Sequence, residues 1–242
     1  MTLVTSNNNT QAQRRPLPGR HVVASPTQEE LRSTITQLNN YALSMLQIGC
    51  SKNTIDTFKD ALSIQKSGVD PSRFAAVLAR AEERLQYVTE HIDDLSPTDV
   101  VALSIDHDAK DAYDMLTQTR TSKVCLILSE QQQLPLAAIR SVLVYNYGIA
   151  HRCCPPKATE QGNNHVMSFC LQIFQYSEKL IPDDFKHNLF RLVLTRNLMM
   201  LSCRLGMTLC EHYKETLDPV VADITGPIAP DAETDNGSTP AA

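Results

Sequence analysis

Asp106-His107-Asp108, with Asp111 close by, sets carboxylates around an imidazole, the residue types of a His–Asp metal site. Such a site draws further histidines from other elements. The 7 His of this chain are scattered and no second cluster supports this one, so a solvated polar turn is the preferred reading. His151-Arg152-Cys153-Cys154 and Cys210-Glu211-His212 also hold zinc-ligand types. Neither has the paired CxxC spacing of a structural zinc site, and buried thiols are the plainer reading. A Cys–His nucleophile pair lacks any local signature. Only 8 Gly are present and none forms a phosphate-cradling loop, which argues against nucleotide chemistry. A metal-dependent enzyme or metal-binding helical protein using His107 with Asp108, or the Cys/His pairs, therefore stands second. The first expectation is a protein that is not an enzyme and needs no cofactor or metal.

The elements that would position these groups read as helices. Ser25-Pro26-Thr27-Gln28 is a helix start, with Ser25 as cap and Gln28 at the capping-box position. Leu31, Ile35, Leu38, Ala42 and Met45 mark one face, Gly49 ends the helix, and a second runs from about Asn53 to Lys66. Asp70-Pro71 opens a third, whose stripe is Phe74, Val77, Leu78, Ala81, Leu85, Val88 and Ile92. Ser96-Pro97-Thr98-Asp99 looks like another cap. Yet Val101, Leu103 and Ile105 alternate as in a strand, and so does Lys123–Ser129, so a small β-ribbon from 100–106 and 123–129 is weighed equally, with a short helix through Ala112 and Leu116 between. Leu136 to about Cys153 is helical and stops at Pro155-Pro156. Val166 to Leu180 follows, then a long apolar helix from Pro182-Asp183 to Leu205. Thr208 with Glu211 gives a capping box for the last helix, ending near Val221.

Composition sets outer limits. The chain has 242 residues, 42% hydrophobic and 20% charged, with no Trp, a palette suited to helix packing. A net charge of -5, with its basic cluster Arg14, Arg15 and Arg20 in a tail, argues against nucleic acid as a partner. No apolar run reaches bilayer length, so no membrane partner is expected. Residues 1–28 lack Asp and Glu, as organellar leaders do, but carry no amphipathic helix; a plain disordered tail is preferred. The 7 cysteines are read as reduced, which places the chain in the cytoplasm, with the nucleus as a second location, and makes the sequons at Asn8 and Asn236 irrelevant. The organisation expected is a disordered tail 1–24, a helical domain 25–222 with an irregular insert at about 67–134, and a disordered tail 223–242.

Three stretches repeat one pattern. Leu38–Leu62 is an apolar helix, a Gly turn and a second helix with Phe58 and Ala61. Val144–Cys154 resumes in Ser168–Leu180, and Arg196–Leu217 is the third copy. One such hairpin cannot bury its apolar face alone and must stack on neighbours. The first copy resembles the tetratricopeptide repeat: Ala42 at the small position, Gly49 at the turn, Phe58 at the aromatic position and Ala61 near the end, with Thr54 where the family has Ala. Gly148, Cys170, Phe174 and Ser177 take these places in the second copy; Met199, Gly206, Tyr213 and Thr216 do so loosely in the third. The resemblance covers roughly 100 residues. It implies an all-α fold of antiparallel helical hairpins stacked as a tetratricopeptide-like right-handed superhelix.

Aligned this way, Asn40, Asn146 and Asn197 share one first-helix position, which in the family faces a concave groove and hydrogen-bonds the backbone of a bound peptide. An amide offers donor and acceptor to an extended chain; the alternative, weighted more, is an Asn that satisfies a neighbouring helix. Leu43, Tyr145, Ile149 and Met200 stand beside them. Asn39 and Leu43 occupy the places where the family's carboxylate clamp carries Lys and Asn, and only Arg196 is suitably basic, so acidic tails are not the expected ligand. The resemblance thus implies an adaptor that binds a helical or extended peptide segment of another protein through Asn39, Asn40, Leu43, Tyr145, Asn146, Ile149, Arg196, Asn197 and Met200. Whether the groove is open or filled by the insert stays undecided. The helix 183–205 leaves either a monomer or a homodimer, with Leu189, Phe190, Leu192, Val193, Met199 and Met200 covering more than one face.

Overall fold

The computed structural model describes residues 27–64, 71–119, 123–153 and 160–226. Among them the order is α1 (Gln28–Ile48), α2 (Ser51–Ile64), α3 (Pro71–Glu90), a 3-10 turn (Ile92–Asp94), β1 (Val101–Ser104), α4 (Ala109–Thr119), β2 (Val124–Ile127), α5 (Leu136–Cys153), α6 (Glu160–Lys179), α7 (Asn188–Arg204) and α8 (Leu209–Thr225). The protein is mostly helical. No described helix is long and apolar enough to cross a membrane. The tail 1–24, Ser25, Pro26, Asp70, Cys154, Pro155, Pro156 and residues 227–242 lie outside the described residues.

The three sequence copies are the helix pairs α1/α2, α5/α6 and α7/α8, each of which packs more closely within itself than on other elements. The pairs adjoin through α2 and α1 against α5 and through α6 against α7, while α3 lies on α1 and α2. One continuous core results, from Ile35, Leu38 and Phe58 through Tyr145 and Phe174 to Phe190 and Leu198. In α7, Leu189, Phe190, Leu192 and Val193 are buried in that core, and Met199 and Met200 are half-buried.

Local chemistry explains where elements begin and end. The cap of α1 is Thr27, not Ser25: its hydroxyl accepts from Glu30 N–H at 3.1 Å, and the Glu30 carboxylate accepts from Thr27 N–H at 2.8 Å. The helix stops at Gly49, where φ is 101° and the Gly49 and Cys50 N–H groups donate to the Leu46 and Met45 carbonyls. Ser96–Asp99 starts no helix. Thr98 instead closes the end of α1, its N–H donating to Gln47 C=O at 3.2 Å and its hydroxyl to Leu46 C=O at 2.8 Å.

Two other boundaries and one cap differ from expectation. α7 begins at Asn188, because Pro182–Phe185 closes a turn of its own with Phe185 N–H on Pro182 C=O at 2.9 Å. Thr208 caps α8 where expected but without a side-chain bond, its backbone being already helical at φ -61° and ψ -21° rather than extended as a side-chain cap requires. α8 passes Pro219 and runs to Thr225, beyond the boundary expected at 222. The cysteines also differ: Cys203 and Cys210 form a disulfide, with Cα atoms 5.1 Å apart, where Gly206 reverses the chain. Cys50, Cys125, Cys153 and Cys170 are free thiols.

Gly148 of α5 lies directly against α6. A Cβ there would stand 2.5 Å from Cε1 of the fully buried Phe174 and 3.1 Å from Cγ2 of Ile173. Gly148→Ala is therefore expected to lower the unfolding free energy by about 1–2 kcal/mol, since overpacking outweighs the helix-propensity gain. Urea denaturation checks it; unchanged stability would mean that the Phe174 ring yields at no cost.

The insert carries α3, β1, α4 and β2. β1 and β2 form a parallel two-stranded ribbon in the register Val101↔Val124 to Ser104↔Ile127, with α4 as the crossover. β2 lies against α1 and α5, and α4 against α7 and α8. The ribbon thus sits across the hairpins.

Candidate functional site

A parallel ribbon of two strands has two edges, and here they meet different fates. The edge of β2 facing the helices presents alternate residues, Val124, Leu126 and Leu128. Each is held by a side chain. Asn40 of α1 accepts from Leu128 N–H at 3.2 Å and donates to Leu128 C=O at 2.9 Å. Asn146 of α5 accepts from Leu126 N–H at 2.9 Å and donates to Leu126 C=O at 2.7 Å. A carboxamide used this way reproduces the donor and acceptor of a neighbouring strand. Tyr145 donates its hydroxyl to Val124 C=O at 2.8 Å.

A further layer fixes the orientation of these groups. Asn39 accepts from Asn146 Nδ2 at 2.9 Å and donates both to Leu126 C=O at 3.2 Å and to Asn40 Oδ1 at 3.0 Å. Asn197 of α7 donates to the Tyr145 hydroxyl at 3.0 Å and to Val193 C=O at 2.8 Å, and its Oδ1 accepts from Arg152 Nη1. Asn39, Asn146 and Tyr145 are fully buried and Asn197 nearly so, which suits polar groups whose donors and acceptors are used. Leu43 and Ile149 are buried in the core. Tyr145 also packs its ring on Phe174 and Phe190.

The structure therefore brings Asn39, Asn40, Tyr145, Asn146 and Asn197 together around β2 of the same chain. Arg196 turns away, donating to Leu116 C=O at the end of α4, and Met200 is half-buried on α7. The residues that sequence reasoning missed are the strand residues being held: Val124, Leu126 and Leu128. Their alternation is visible in Lys123–Ser129, but nothing local ties it to Asn39, which is 87 residues from Leu126.

Burial governs the titration of the site. It pushes the Tyr145 phenol and the Cys125 thiol well above their ordinary values, and the Cys170 thiol to about 12. These groups stay protonated at neutral pH, and neither thiol has the thiolate character of a nucleophile. The ring of His151, held edge-on to Tyr147 and Phe169, has its pKa lowered by burial and then by Lys59. Asp108 caps α4: its Oδ1 accepts from Lys110 N–H at 2.8 Å and Asp111 N–H at 3.1 Å, while His107 is exposed. Cys210 is in the disulfide, which removes it from a thiol pairing with His212. Among the described residues, no group of three or more His, Cys, Asp or Glu is placed to hold a metal ion.

The second edge, that of β1, faces outward. Val101 and Ile105 point their N–H groups into the ribbon, to Lys123 and Ile127 C=O at 2.9 Å each. By the two-residue period, Ala102 and Ser104 point theirs away. Both residues are partly exposed; the Ser104 C=O accepts from His107 N–H at 2.9 Å, while Ala102 N–H and C=O and Ser104 N–H have no partner beyond the ribbon among the described residues. In comparisons with known proteins, no family model, curated protein or solved structure matches this chain.

Proposed function

We propose that the three hairpins are a degenerate tetratricopeptide-like stack, that the protein is a non-enzymatic interaction scaffold, and that it recognises an extended segment of another protein by strand addition to β1. The observation that carries this reading is the asparagine row. Asn40, Asn146 and, through Tyr145, Asn197 grip alternate residues of an extended chain, the task such a groove performs for a peptide. The chain's own β2 takes that place, pinned on one edge by side chains and on the other by β1. What remains for a partner is the outer edge of β1. It offers the N–H and C=O of Ala102 and the N–H of Ser104. Affinity comes from main-chain bonds, and register from the side chains that flank them.

The test uses proline as an edge block. Ala102→Pro removes an outward N–H and leaves the ladder bonds of Val101 and Ile105 in place, a position where sheets tolerate Pro. Native-lysate capture with the full chain is compared between wild type and this variant, with circular dichroism confirming the same helix content. Loss of wild-type partners in the variant supports the edge as the binding site. An identical partner set overturns it, and so does a wild type that captures nothing specific.

A further inference from the structure

A cleft of about 580 Å³ opens between α4, α7 and α8. Its walls are mainly apolar: Leu116 from α4, Leu192 and Met199 from α7, Leu217 and Val221 from α8. Arg196 is the single basic residue among the described residues that line it. Its Nη2 donates to Leu116 C=O at 3.0 Å, and burial lowers its pKa from the ordinary arginine value. No carboxylate of the described residues forms an ion pair with it. Asp218 also lines the cleft, but it is exposed and stands outside ion-pair distance.

Arg196 is half-buried, and most of its five donors have no partner among the described residues, so they are free to meet a ligand's oxygens. The volume falls within the range of small-molecule sites, roughly 300–1,000 Å³. A lone cation between hydrocarbon walls selects one negative charge on an apolar body. A phosphate dianion would want several donors, whereas a carboxylate fits the guanidinium fork alone. We propose that this cleft binds a small amphiphilic monocarboxylate, with its carboxylate on Arg196 and its hydrocarbon chain between α7 and α8. This inference does not rest on the β1 edge and survives or falls separately.

The experiment titrates the full-length protein with decanoate and, in parallel, with the neutral decanamide, by isothermal calorimetry. Decanoate is expected to bind at least about tenfold tighter than decanamide, the worth of one charged hydrogen-bonded pair. Arg196→Gln keeps a donor for the Leu116 carbonyl and removes the charge. It should bring decanoate down to the affinity of decanamide while leaving thermal unfolding near wild type. Val221→Phe narrows the apolar wall without touching the guanidinium, and should weaken both probes. No decanoate binding to the wild type overturns the proposal. Equal affinity for the two probes also overturns it, as does an unchanged decanoate affinity in folded Arg196→Gln.

Discussion

Asn146→Ala is expected to destabilise the protein by about 4 kcal/mol, with two buried polar groups losing their only partners. The orphaned groups are Leu126 N–H, which donates to Asn146 Oδ1, and Asn39 Oδ1, which accepts from Asn146 Nδ2. Leu126 C=O keeps its bond from Asn39 and is spared. Asn146→Asp is no rescue, since a carboxylate lacks the Nδ2 donors and would stand near two oxygens in a dry site. Asn40→Ala should cost less, because Asn40 and the Leu128 pairing are only part-buried and water can replace the amide. Urea unfolding of the three variants checks the order. A loss in Asn146→Ala no larger than that in Asn40→Ala would mean that β2 is not held as described.

Gly49→Ala is expected to cost about 3 kcal/mol or more, combining a left-handed backbone with a main-chain clash. At φ 101° an L side chain is strained, and its Cβ would lie 2.1 Å from the Ser96 carbonyl oxygen. Relief requires the 96–98 segment to move, which pulls Thr98 off the Leu46 and Gln47 carbonyls. Gly206 provides the control. Its φ is 65°, but nothing lies within 4 Å of the Cβ position, so Gly206→Ala should cost about 1 kcal/mol from backbone strain alone. Thermal melts of the two variants compare them directly; equal losses would remove the clash from the explanation.

The legible parts of the fold are those with local causes. α5 could be bounded from an apolar period and a proline stop, and it spans Leu136–Cys153. The ribbon showed as alternation, and β1 and β2 occupy that alternation. Parallel pairing was not readable, because the choice of edge depends on the helices that receive β2. Pro182-Asp183 and Thr208-Glu211 both carried capping chemistry; α7 nevertheless starts later, at Asn188, whereas α8 starts after Thr208 as expected but without the side-chain cap bond. The site was half readable. Hairpin alignment put Asn40, Asn146 and Asn197 at one level, but their ligand was a stretch of the same chain whose contacts are all long-range. The Cys203–Cys210 bridge and the role of Thr98 at the end of α1 likewise depend on turns that bring distant groups together.

The tie between Asn39 and Asn146 spans 107 residues and crosses from the first hairpin to the second with β2 between them. Regular helical arrays are modular: units interact only with neighbours, so they can be trimmed, duplicated or frayed from an end with graded losses. A strand clasped by helices from two units removes that freedom. Peeling away either hairpin strands the amides of the other, so unfolding should proceed as one event across both. The clasp trades the extensibility of a repeat protein for the single cooperative identity of a globular domain.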